Sequence, residues 1–320
     1  MWMGTTMTTE AGSITLGSYS HDLLLHDNDE VLVDGTIAFV QEGLASGGQV
    51  LVHSTEERVA LLRGALGSHA RLTYGLDRDL YQSPSTTLFA YQRIFEERTD
   101  ATDVWVTGTV PHGEDQESHA AWARYESLVN EALGDYAFHA LCTYDTQTLA
   151  PDVIAASRAT HPHVGVGAHR EVSHAYEEPA DFLTDELAAV PTAPASEPTV
   201  TADVYSPHDL HIARRLLRRN TEPSDVSPDI ADDLVTAAHE ILVNGLEHGV
   251  PPVRLELWVG PSKLTCRVTD RGRGIRDRLA GYRHPNRGGS MGLWAARQLC
   301  ENIFVSNVTR GGCSVLLSTA

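Results

Sequence analysis

At 320 residues and 42% hydrophobic composition, the chain is too long for one ordinary core and too apolar for general disorder, so two domains are expected. No apolar run approaches the roughly 18 residues of a membrane span, and the start MWMGTTMTTEAGS has neither the basic nor the apolar region of a secretion signal; both point to the cytoplasm. The net charge of −19 is uneven, with 9 Arg and no Lys against 31 acids in residues 1–204 and a net +3 in residues 205–320. The acidic first part disfavours direct contact with nucleic acid or anionic membranes, and the second suits an anionic nucleotide.

The first 160 residues alternate strand-like and helical runs. Helical spacing over Glu30–Leu44 gives way at Gly47-Gly48 to a short buried strand, Gln49–His53. Glu56–Leu66 and Thr86–Glu97 read as helices, Val104–Thr109 as a strand, Gln116–Leu133 as a long helix, Phe138–Thr143 as a strand and Pro151–Arg158 as a short helix. Strands separated by helices imply an α/β domain with a largely parallel sheet. The single lysine, Lys263, excludes a P-loop lysine here, and neither Ser46-Gly47-Gly48-Gln49 nor Arg63-Gly64-Ala65-Leu66-Gly67 makes the phosphate-loop pattern. The Ala/Pro/Thr-rich stretch AAVPTAPASEPTVTADV, 188–204, reads as a linker. The domains are therefore placed at 20–180 and 205–320, with the linker at 181–204.

Beyond it the pattern changes. His208–Arg219 is an amphipathic helix with a basic end. Ser227-Pro228-Asp229 starts a second helix that runs through His248 and stops at Gly249, read as a C′ glycine. Arg254–Val259 and Lys263–Thr269 alternate as paired strands, Met291–Glu301 is helical, and Ile303–Asn307 with Cys313–Ser318 form a hairpin. This is an α+β domain, helices on a mixed, mostly antiparallel sheet. The four cysteines, Cys142, Cys266, Cys300 and Cys313, are scattered without a C-x-x-C pair, which argues against a disulfide framework or a zinc site. Cys266 and Cys300 read as core residues.

Three motifs lie in this second domain. Glu240, Asn244 and His248 are spaced i, i+4, i+8 and share one face of the long helix. Taken alone this is an ordinary polar stripe, although mid-helix Asn is a poor helix former. Asp270-Arg271-Gly272-Arg273-Gly274 ends a strand, and its glycines let backbone approach a ligand. Arg287-Gly288-Gly289-Ser290-Met291-Gly292-Leu293 leads into a helix whose N–H groups suit phosphate oxygens.

In this order and spacing the three motifs resemble the N, G1 and G2 boxes of the GHKL (Bergerat-fold, HATPase_c) ATPases. The resemblance implies ATP and Mg²⁺ as cofactors. It implies Mg²⁺ coordination by Asn244, adenine recognition by Asp270 and a base pocket lined by Gly272 and Gly274. It also implies a phosphate lid over Gly288, Gly289, Ser290, Met291, Gly292 and Leu293, and a catalytic Glu240 that orients or deprotonates the nucleophile. One short helix before the N box leaves no room for a histidine-kinase dimerisation hairpin, and the compact lid lacks a phenylalanine-bearing F box. The domain is in this respect similar to the anti-sigma-factor serine kinases, which bind a sigma factor and phosphorylate a serine of a STAS-type anti-anti-sigma antagonist; such kinases often act as homodimers. It departs from them in reading Gly-Gly-Ser-Met-Gly-Leu in place of Gly-Arg-Gly-Leu. An atypical histidine kinase and a non-catalytic ATP-gated binding switch are the alternatives.

Residues 20–180 resemble the MEDS sensory domain in Ser20–Glu30, Phe39–Leu44, Gly47–His53, Cys142–Leu149 and Ala159–His163. The resemblance implies a RecA-like α/β sheet domain without a P-loop, and a small-molecule signal. Among His21, His26, His53, His139 and Cys142, near strand ends where open α/β sheets bind ligands, His21 is the best single pocket candidate, for a small molecule or a metal. His26, His69, His112 and His119 read as scattered surface and core histidines.

Overall fold

The structure, a computed structural model, describes residues 19–81, 84–97, 102–113, 115–183, 193–283, 285, 291–300, 302–308 and 311–319. The first domain contains β1 (Tyr19–His26), α1 (Asp29–Ala45), β2 (Gln49–Ser54), α2 (Glu56–Leu66), β3 (Leu72–Leu76), α3 (Asp77–Leu80), α4 (Pro84–Glu97), β4 (Val104–Gly108) and α5 (Gln116–Ala132). It continues through β5 (Phe138–Asp145), α6 (Pro151–Thr160), β6 (His163–Val164), β7 (Glu171–Val172) and α7 (Pro179–Phe182). The sheet order is β3-β2-β4-β5-β1-β6-β7, and every pairing is parallel except the β6–β7 hairpin. Helices cover both faces, so the central strands β4 and β5 are buried almost throughout. Asn28 and Thr55 start α1 and α2 by accepting the N–H of Val31 and Arg58.

The second domain is β8 (Val200–Val204), α8 (Pro207–Thr221), α9 (Pro228–His248), β9 (Val253–Val259), β10 (Leu264–Thr269), α10 (Met291–Leu299), β11 (Asn302–Asn307) and β12 (Cys313–Ser318). Its antiparallel sheet has the order β11-β12-β10-β9-β8. The core lies between that sheet and the apolar face of α9, where Leu234, Ala238, Ile241 and Leu242 meet Leu255, Leu257 and Cys266.

Two expectations need correction. The stretch read as linker ends in β8, which pairs with β9, and Trp258 Nε1 donates to the Ser196 carbonyl at 2.8 Å. An edge strand buries only one side chain fully here, so its composition stays loop-like. Gly249, at the C-cap of α9, is not left-handed; its φ is −90°. The residue must be glycine because a Cβ would lie 2.7 Å from the Asp270 side chain.

The domains touch through the segment between the second and third motifs. Leu279 and Tyr282 enter the apolar cluster built by α4, α5 and β4. The buried Gln92 side chain of α4 donates to the carbonyls of Ala132 at 3.3 Å and Tyr282 at 3.1 Å, and accepts from Trp294 Nε1 at 3.3 Å. Arg283 pairs with Glu131 of α5, and Arg278 donates to the Ala180 carbonyl at 2.8 Å.

Candidate nucleotide cleft

The cleft opens between the last turns of α9 and the loop that follows β10. It has a volume of about 280 Å³, with apolar walls from Ile241, Val268, Leu293 and Val315 and polar groups from Asn244, His248 and Asp270. That is the size and chemistry of a small, orienting ligand pocket.

Helical spacing brings Asn244 and His248 to the same rim of the cleft, while Glu240, one turn earlier and half-buried, lies outside its lining. Asp270 is held by its own N–H, which donates to the Cys313 carbonyl at 2.9 Å. Its carboxylate accepts the Gly272 N–H at 2.6 Å. Burial, with the Asp270 charge beside it, pushes the Cys313 thiol up to about 12, so that wall of the cleft stays neutral.

The glycines are required by close approach. A Cβ on Gly272 would stand 2.8 Å from Gly249 Cα, so these two backbones and the Asp270 side chain pack as one unit. Gly274 has φ +77°, a conformation that favours glycine. Directly after it, Ile275 exchanges two hydrogen bonds with the Asn307 side chain, at 2.7 and 2.8 Å, which fixes where the chain leaves the sheet. A Cβ on Gly292 would meet the Asn244 amide at 2.7 Å, so the N-terminal turn of α10 lies against the amide of α9. Gly274 and Leu293 line the cleft, and Met291 is exposed. Gly288, Gly289 and Ser290 fall outside the described residues. Asn307, Gln92 and Tyr282 were not singled out in the sequence; Asn307 ends a strand and carried no motif signal.

The histidines of the first domain separate into different environments. His21 and Cys142 come together in the interior, Nε2 to Sγ 3.4 Å, joined by Glu126 and His161, which strand-end reasoning did not select. Burial opposes ionisation of Glu126, but the His21 hydrogen bond and neighbouring imidazoles hold its carboxyl below the usual range. His139 instead pairs with Ser20 and Asp103, and His53 lies against the Leu76 carbonyl. His26 is buried with neither ring nitrogen hydrogen-bonded among the described residues. His112 and His119 line a cleft of about 310 Å³ beside Tyr144.

An α/β sheet domain with titratable groups in its interior is joined to an antiparallel-sheet domain in which the long helix α9 and the loop after β10 frame a cleft. Residues 20–162 match the model of MEDS, the MEthanogen/methylotroph, DcmR Sensory domain, and residues 205–318 match that of the Histidine kinase-like ATPase domain. The chain is thus a MEDS sensory domain followed by a histidine kinase-like ATPase domain. No curated protein matches it. No helix among the described residues is long and apolar enough to cross a membrane.

Proposed function

We propose that the chain is a sensor-linked anti-sigma regulatory factor. It binds Mg-ATP in the α9–α10 cleft and transfers the γ-phosphoryl group to a serine of a STAS-type anti-anti-sigma partner, thereby controlling a sigma factor. The observation that carries the nucleotide reading is the joint packing around one cavity: Asn244 against Gly292, and Asp270 against Gly249 and Gly272. The amide oxygen of Asn244 fits a hard oxygen-coordinated cation, and Gly292, lacking a Cβ, lets the first turn of α10 lie directly against that amide. When bound, Mg²⁺ would neutralise phosphate charge there. Asp270 would accept the adenine amino group, and the first turn of α10 would offer its N–H groups to phosphate oxygens.

In the transfer, the serine hydroxyl oxygen forms a bond to the γ-phosphorus. The bond from that phosphorus to the β–γ bridging oxygen breaks, and ADP departs with the electron pair. Glu240 takes the hydroxyl proton; its place outside the cavity lining, one turn from Asn244, suits a group that faces an incoming protein side chain. Positioning and charge supply most of the catalysis in such a reaction.

Support for the anti-sigma branch is the layout around α9. Among the described residues β8 and the single helix α8 precede it, without a two-helix unit bearing a phosphoacceptor histidine. The test is incubation of the full chain with ATP, Mg²⁺ and STAS-domain proteins, with sigma-factor capture in parallel. Acid-stable phosphoserine on the STAS partner is expected, and Glu240→Ala should slow it by about 10²- to 10⁴-fold, the usual contribution of a positioned base, at unchanged ATP affinity. Absence of both phosphoserine and sigma binding sinks the reading. Acid-labile autophosphate abolished by replacing one histidine would make the chain a histidine kinase, and normal partner control by Glu240→Ala would make it a non-catalytic switch.

A further inference from the structure

The interior of the sensory domain contains four potential ligands that the nucleotide cleft does not use. His21 comes from β1, Glu126 from α5, Cys142 from β5, and His161 is the residue that ends α6. All four are buried, and one donor atom of each lies within 4.8 Å of all the others. We propose that these side chains form a tetrahedral site for one divalent transition-metal ion, zinc in the first instance.

Distances support it first. Glu126 Oε2 is 3.0 Å from His21 Nε2, 3.5 Å from Cys142 Sγ and 3.6 Å from His161 Nε2, and Cys142 Sγ is 3.4 Å from His21 Nε2. Tetrahedral bonds of about 2.0–2.3 Å place neighbouring ligand atoms about 3.3–3.6 Å apart. Three of these four distances fall in that range, and the His21–Glu126 pair is closer at 3.0 Å.

Proton positions support it independently. His161 Nδ1 lies 2.7 Å from the Ser157 carbonyl, which can only accept, so Nδ1 carries the proton and Nε2 presents a lone pair. That nitrogen is buried without a hydrogen-bond partner among the described residues. His21 Nδ1 faces Asn130 Oδ1 at 3.1 Å. The Asn130 amide is oriented by its donation to the Thr160 carbonyl at 2.8 Å and by the Tyr19 hydroxyl, which donates to Oδ1 at 3.0 Å. His21 Nδ1 is then the donor. With Nδ1 as donor, the Nε2 atoms of both imidazoles are turned toward Glu126 Oε2, at 3.0 Å from His21 and 3.6 Å from His161. An ion among the four groups satisfies every one of these atoms at once.

The surroundings are those of a metal centre. Both imidazoles donate their outer N–H to an oxygen, and Glu126 Oε1 accepts the Tyr144 hydroxyl at 3.2 Å; such partners orient ligands in metal sites. A thiolate and a carboxylate balance a divalent charge in the interior, and the sulfur ligand with two imidazoles selects zinc or another first-row ion over Mg²⁺ and Ca²⁺. Binding releases the Cys142 proton.

The test uses the full untagged chain, stripped with a chelator and reconstituted with Zn²⁺ or Co²⁺. Elemental analysis after gel filtration should find about one ion per chain, and Co²⁺ should give a thiolate-to-metal charge-transfer band. Cys142→Ser should abolish the band, and Asn130→Ala, outside the coordination sphere, should weaken affinity by about 10- to 100-fold. Circular dichroism reports whether each variant is folded, and the wild-type cobalt spectrum needs no variant. A stripped but folded chain that takes up no Zn²⁺, Co²⁺, Fe²⁺ or Cu²⁺, or a charge-transfer band that survives in Cys142→Ser, overturns the proposal.

Discussion

Replacing Gln92 by leucine tests whether the first domain holds the segment around residues 279–283. The two side chains have similar volume, so the change removes hydrogen bonds with little loss of packing. Gln92 is fully buried and serves the Tyr282 carbonyl and the Trp294 N–H across the domain boundary. Each hydrogen bond of this kind lost across the boundary costs about 1–2 kcal/mol, which makes about 2–4 kcal/mol a reasonable total for the two. Against this stands burial of Leu279 and Tyr282 in the sensory core, worth about 1.5–3 kcal/mol per large apolar side chain. The segment should therefore loosen and not simply leave. A loss of 2–4 kcal/mol raises the open population about 30- to 700-fold, at a factor of ten per 1.4 kcal/mol. The assay is amide hydrogen exchange at Ala280 and Tyr282, whose N–H groups donate to Asp277 and Leu279 within the segment. Protection there should fall by that factor, while the β9–β10 amides stay unchanged. Exchange at 279–283 within threefold of wild type would refute the claim that Gln92 ties the two domains.

Gly292→Ala should preserve the fold and remove nucleotide affinity, because the new methyl displaces the Asn244 amide, 2.7 Å away; calorimetry with Mg-ATP should show a loss of at least about 100-fold, roughly 3 kcal/mol, and wild-type affinity would contradict the close packing. His112 supplies a pH dependence: burial pushes its imidazole down to about 4. The folded state then refuses a proton that the unfolded chain takes near 6.5, so stability falls as pH drops from about 6.5 toward 4, by about 2 kcal/mol between pH 7 and 5. Urea unfolding at both pH values should show this loss reduced in His112→Gln; an unaltered pH slope would exclude His112 as its source.

What the sequence reveals follows from how local each signal is. Helix α2 is read to the residue, because Thr55 caps it, apolar residues recur on one face and Gly67 ends it. Strand β1 escapes a clear strand reading because Ser20, His21 and Asp22 precede its short apolar run, and His21 and Asp22 are buried only because tertiary partners satisfy them. The three nucleotide motifs are local, and so they are visible as spacing; that Asn244 abuts Gly292, or that Gly249 must make way for Asp270, is a property of packing alone. Glu126 sits mid-helix, where a glutamate ordinarily faces water, and His161 follows a helix in Thr160-His161-Pro162-His163. Nothing in their spacing announces that four separate elements bring them to one point, which is why scattered cysteines argued against a zinc centre.

The docking of Leu279 and Tyr282 has a practical corollary. Since these side chains finish the sensory domain's apolar cluster, neither half has a complete surface by itself. Cleaved within the Pro-rich connection, the two fragments should recombine as a complementing pair, and the ATPase-type fragment prepared in isolation would report the behaviour of a segment, residues 279–282, deprived of its anchorage.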